Sequence, residues 1–127
     1  MEKTVEIGGK EVRMRASALI PRLYRFNFKR DMISDMRQLQ KAFNKAISLP
    51  ADATDEDRED AQLSALDLTI FENVAWLMMK HAGEDVGASP DEWLDTIDGV
   101  FSVYEILPVI LELWGDNQAT TSVPVKK

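Results

Sequence analysis

The chemistry open to this chain is narrow. His81 is its one histidine, and it has no cysteine, whereas a zinc site built on nitrogen and sulfur ligands takes several such residues. A lone imidazole acts as a base only beside a nucleophile and a group that orients it. His81 instead closes an apolar helical pattern, where an imidazolium complements the negative pole of the helix. Carboxylates are plentiful, and "DATDEDRED" (52–60) is a dense run of them. It lacks the central glycine and closing bidentate glutamate of a calcium loop. All its acids but Asp52 follow Thr54, a helix-capping residue, and crowd the turn where they complement the positive pole of a starting helix. Asp91 and Asp95 share a helix face, as carboxylates on any solvated acidic helix do. Gly8-Gly9 is not followed by the Gly-Lys-Ser/Thr of a phosphate loop. No pattern marks a serine nucleophile. The residues predict a protein that is not an enzyme and uses no metal or cofactor.

Recognition is better supplied than catalysis. "PRLYRFNFKR" (21–30) interleaves Arg22, Arg25, Lys29 and Arg30 with Tyr24, Phe26 and Phe28, a mixture able to grip phosphate and stack on bases. A small nucleic-acid-binding regulator is therefore one reading. Against it, residues 1–45 hold 11 Lys and Arg against 5 Asp and Glu, while residues 46–127 hold 4 against 17. The acidic second half, and a sequence pI near 4.7, would repel a polyanion, and the aromatics can equally serve a core. Such asymmetry favours head-to-tail contact between copies, attraction to a partner of mixed charge, or internal pairing of the two halves.

The elements that must carry these residues are mostly helical. A chain of 127 residues with 45% hydrophobic residues can bury a core in one domain. "TVEIGGKEVRMR" predicts a two-stranded hairpin, because Gly8-Gly9 suits a two-residue turn with positive φ. That turn pairs Val5 with Val12, Ile7 with Lys10 and Glu2 with Arg15, and gathers Val5, Ile7, Val12 and Met14 on one face. A short helix follows, with Ser17 as a candidate cap and Pro21 in its first turn. Met32, Met36, Leu39, Phe43 and Ile47 stripe the next helix, which Pro50 ends. From Thr54 a long helix is predicted to run to Lys80, with Leu63, Leu66, Ile70, Val74, Leu77 and Met78 on one stripe and Leu68, Phe71 and Ala75 widening it. Ser89, Pro90 and Glu92 start a further helix through a capping box, with Trp93, Leu94 and Ile97 on its apolar side. Gly99 breaks it from a last helix over 101–114, which Gly115 ends and Pro108 kinks or delays.

That last helix carries only Glu105 and Glu112 as charges. A helix apolar nearly all round is deeply buried or covers part of itself with another molecule. Tyr104, Leu107, Ile110, Leu111 and Trp114, with Trp93 nearby, are the candidate partner-binding residues. The methionines, Met78-Met79 among them, offer adaptable contact to a partner of varied sequence. The expected organisation is a mostly helical α+β domain over 1–115, its N-terminal hairpin packed on about four or five helices, and a flexible tail over 116–127. No apolar run approaches the ~20 residues of a membrane-spanning helix, and "MEKTVEIGGK" lacks the apolar region of a signal peptide. A soluble cytoplasmic protein is expected.

With "RLYRFNFKRD", "IFENVAWLMMKHA", "PDEWLDTID" and "EILPVILELWGDNQATTS" in place, the sequence resembles the tail assembly chaperones of long-tailed phages and prophages of Gram-positive bacteria. The likeness spans the whole chain in the same order, and the closing segment is its most specific part. The resemblance implies a non-enzymatic protein of the host cytoplasm, absent from the mature virion. It implies binding to the tape measure protein, a long helical chain that is kept soluble while the major tail protein polymerises around it. It also implies a longer product made by ribosomal frameshifting, whose extension recruits major tail protein. Lys126-Lys127 is compatible with an adenine-rich slippery site. Lys29 departs from the family, where glycine is common, and puts the turn between the first two helices in question.

Overall fold

Two successive glycines reverse the chain at the start of the fold. Gly8 and Gly9 take φ of 62° and 79°, conformations that cost glycine nothing and other residues a steric penalty. Strands β1 (Glu2–Ile7) and β2 (Lys10–Arg15) are thereby locked antiparallel, with Glu2 opposite Arg15, Val5 opposite Val12 and Ile7 opposite Lys10. Val5, Ile7, Val12 and Met14 face inward and are buried. The register predicted from the turn is the one observed.

The computed structural model describes residues 2–60, 62–97 and 103–121. After the hairpin come α1 (Ile20–Phe28), α2 (Met32–Ile47), α3 (Asp55–Asp60), α4 (Ala65–His81), α5 (Pro90–Asp95) and α6 (Val103–Thr121). The fold is a mostly helical α+β domain with the two-stranded hairpin packed on the helices. Helix α4 is its centre and touches β2, α1, α2, α5 and α6. Ile70, Phe71, Val74, Ala75, Trp76, Leu77, Met78 and Met79 are all buried along it, which is why its apolar residues show no single stripe. The Trp76 indole N–H donates to the Val86 carbonyl at 3.2 Å, and Phe28 meets the same ring edge-on at 5.9 Å between centroids.

Several boundaries differ from the sequence expectation. The single helix predicted from Thr54 to Lys80 is two. Thr54 does cap the first: its hydroxyl accepts from Asp57 N–H, and the Asp57 carboxylate accepts from Thr54 N–H. A second reciprocal box then starts α4, where Ser64 accepts from Asp67 N–H and Asp67 from Ser64 N–H. Two such boxes ten residues apart each satisfy orphan donors at a helix start, so a new helix begins at Ala65. Ser17 does not cap α1, because Leu19 occupies that position. The Ser17 hydroxyl accepts from Leu19 N–H and pairs with His81. Gly115 does not end α6, which continues to Thr121. A glycine inside a helix costs only about 1 kcal/mol, and space around Gly115 is open. Pro108 lies inside α6, and its face is exposed. Gly99, Phe101 and Lys126-Lys127 lie outside the described residues.

Ile47 and Leu66 were placed on buried stripes and are exposed instead. Each stands near a helix end, Ile47 in the last turn of α2 and Leu66 in the first of α4, beyond the reach of the central packing. Lys29 makes the first interhelical turn. It adopts φ 57° and ψ 36° at the C-cap of α1, and its N–H bonds the Arg25 carbonyl. A left-handed cap of the kind glycine makes readily is made here by a lysine, with the accompanying strain.

Candidate functional site

The residues predicted to bind a partner do not form one surface. Trp93 is buried on α5, and Leu107, Ile110 and Trp114 are buried on α6. Leu111 is half-buried and packs on the core, while Tyr104 is 47% exposed. Helix α6 is covered by β1, α2 and α4, and Glu112 on it forms an ion pair with Lys3 on β1. Its apolar circumference is thus largely used within the domain. Met78 and Met79, read as adaptable contact, are fully buried too.

The one histidine has a partner. His81 Nε2 lies 2.9 Å from Ser17 Oγ. A hydroxyl and an imidazole at that separation have the spacing of a nucleophile and its base. Here, however, the hydroxyl also accepts the Leu19 N–H at 3.2 Å, and among the described residues no carboxylate orients the ring. Burial, then the charge of Arg15, then that of the N-terminus hold the imidazole below its ordinary value. The imidazolium expected to complement the helix pole is therefore disfavoured.

The basic and aromatic segment divides its labour. Tyr24 is fully buried, and its hydroxyl donates to Asp35 Oδ2 at 2.7 Å. Arg30 forks onto the same carboxylate, Nε to Oδ2 at 2.7 Å and Nη2 to Oδ1 at 2.8 Å. Burial, the largest single influence, pushes the Asp35 carboxyl up, but the hydrogen bonds from Arg30 and Tyr24 and the guanidinium charge together carry it below the usual value. The phenol is pushed up, by burial first and Asp35 second. Phe28 packs partly against the core. Phe26 is 72% exposed, with the Lys29 ammonium 5.2 Å from its ring centroid.

An open trough lies beside them. At the α1–α2 corner a depression of about 410 Å³ is lined by Pro21, Arg25, Lys29, Arg30, Asp31, Met32 and Ile33. Between α2 and α6 a second, of about 240 Å³, is lined by Ile33, Met36, Arg37, Gln40, Lys41 and Trp114. The two share Ile33, which is 48% exposed. A separate cleft of about 160 Å³ is formed by Ala46, Ile47, Leu49, Arg58, Gln62 and Tyr104. The sequence signal for the trough was present but weak. Ile33 is apolar yet lies one position off the stripe of Met32, Met36 and Leu39, so it must point elsewhere.

Comparison of the chain with protein-family models, with curated proteins and with solved structures gives no match.

Proposed function

We propose that this protein is a phage tail assembly chaperone that binds the tape measure protein, keeps it soluble and helps recruit the major tail protein. Its motifs resemble that family across the chain. The observation that carries the reading is the outer surface, where Phe26, Ile33, Ile47 and Tyr104 stay exposed, the last three lining open clefts. Exposed apolar side chains beside a groove suit the apolar face of another helix. Burying a few of them offers reversible rather than permanent binding, as each fully buried large side chain adds about 1.5–3 kcal/mol, before the entropy of association is subtracted. A client that must later be surrendered to a growing tail needs such modest affinity. The major tail protein would be reached through a frameshifted longer product. An adenine run near the end of the coding DNA, with an overlapping frame beyond it, is the mark to look for.

Co-expression with the long protein encoded just downstream tests the function. The expected result is transfer of that protein to the soluble fraction and its co-purification with this chain. Equal insolubility with and without the chain would end the proposal.

One observation favours the nucleic-acid reading, namely the exposed ring of Phe26 among Arg22, Arg25 and Lys29. It is weakened because Tyr24 is in the core and Arg30 is committed to Asp35. Measurable affinity for DNA that falls steeply with salt would support it.

A further inference from the structure

The trough has an apolar floor and a mainly basic rim, with Asp31 the one carboxylate among its lining residues. Ile33, 48% exposed, supplies the accessible apolar surface of the floor, with the buried Met36 and Trp114 behind it. Arg25 and Lys29 stand at one end, Arg37 and Lys41 at the other, and all four are exposed. Ile33, Arg37 and Lys41 are spaced by four and so form one ridge of α2. Asp31 accepts the Ile33 N–H as the cap of α2. Arg30 is already taken by Asp35. Among the described residues, no ion pair reaches Arg25, Lys29, Arg37 or Lys41. The basic half of the chain is therefore not neutralised by its acidic half along this face.

We infer that the trough receives an amphipathic helix whose apolar face is flanked by carboxylates. This deepens the chaperone reading, on which it rests, by naming the docking chemistry of the client. Ile33 to Lys41 covers about 12 Å of helix axis, a little over two turns of a helix laid alongside. The occupant's apolar stripe fills the floor over Ile33, and Asp or Glu on its two shoulders meets the cations at both ends. A lysine-flanked helix of equal hydrophobicity is excluded by like-charge repulsion. The rim is solvent-exposed, so its attraction is screened beyond roughly 8 Å at physiological salt.

The test titrates the full chain against two labelled amphipathic peptides of about 18 residues, long enough to span the trough. They share one leucine stripe and differ only in glutamate or lysine flanks. The acidic-flanked peptide is expected to bind and to weaken as salt rises, and the lysine-flanked one not to bind. Arg37→Glu with Lys41→Glu is expected to lower affinity on the order of tenfold or more, and Lys29→Gly to lower it without loss of stability. Equal binding of both peptides overturns the inference, as does unchanged affinity in a doubly reversed variant that melts like the parent chain. Tighter binding of single-stranded DNA than of the acidic peptide also overturns it. So does a parent oligomer that the reversed variant dissolves, since the occupant would then be a second copy. Client rescue in co-expression that survives Arg37→Glu with Lys41→Glu sinks the trough and spares the chaperone reading. Peptide binding without client rescue does the reverse.

Discussion

Asp35 is the residue whose loss should be felt most. It is a buried charge in the first turn of α2, and three donors converge on its two oxygens, from Tyr24 and twice from Arg30. Asp35→Asn keeps the volume but replaces one acceptor with an N–H group. Whichever way the amide turns, at least one incoming donor meets another donor. Breaking one side of a buried ion pair costs about 3–5 kcal/mol. The Arg30 side chain is 43% exposed, so water recovers part of that, and we expect a loss of about 2–3 kcal/mol. Tyr24→Phe removes one hydrogen bond to a charged acceptor and leaves the ring in place, at about 1.5 kcal/mol. The two changes share a partner and should couple by about 1 kcal/mol in a double-mutant cycle.

The assay is urea unfolding followed by far-ultraviolet circular dichroism at pH 7 and repeated toward pH 3. Asp35 is held below its ordinary value of 3.8 in the folded protein. A depressed carboxyl contributes stability that is present above the unfolded value and is lost as pH falls through the folded one. The gap between parent and Asp35→Asn should stay constant down to about pH 5 and shrink below about pH 4. Additivity of the two substitutions within about 0.5 kcal/mol, or a gap unchanged down to pH 3, would refute the network.

Two further outcomes follow from local geometry. Lys29→Gly relieves a left-handed lysine and should stabilise the protein by about 1 kcal/mol net of the glycine's greater freedom when unfolded, read as a rise of about 3 °C in Tm; a fall would mean that the contacts of Lys29 with Phe26 outweigh the strain. His81 should titrate by NMR with a midpoint below 6.5, because burial and Arg15 disfavour its cation. Its contribution is present above the unfolded value of 6.5 and declines as pH falls through the folded one, so melts between pH 7 and pH 5 should be flatter for His81→Gln than for the parent.

The hairpin was legible in the sequence because a two-glycine turn leaves one register, and alternation then dictates the buried face. The start of α5 was equally plain. Ser89 accepts the Glu92 N–H and Pro90 stands in the first turn, although the Glu92 carboxylate reaches Ala88 N–H rather than closing the box on Ser89. The break before α4 was hidden, since Leu63, Leu66 and Ile70 continue a helical rhythm across it. What breaks the rhythm is the polar pairing of Ser64 with Asp67, itself held by the Gln38 amide at 2.9 Å, a contact from a distant part of the chain. The same limit applied to the candidate site. An apolar residue on α6 looks alike whether its neighbour is a client or α4, and only the placement of β1, α2 and α4 around that helix decides.

That placement covers most of the apolar face of the last helix and leaves Ile33 of the second exposed, and it gives the Asp35 network a second consequence. Tyr24 and Arg30 bracket the corner between α1 and α2, and Asp35 ties both to the first turn of α2. The same corner sets how far Arg25 and Lys29 stand from Ile33 and Arg37. A docking face assembled from two helices keeps its shape only if the angle between them is fixed, and three short hydrogen bonds on a buried carboxylate are a stiff way to fix it. If the proposed docking is right, a substitution that loosens the network is expected to weaken docking as well as folding, although Asp35 itself is buried.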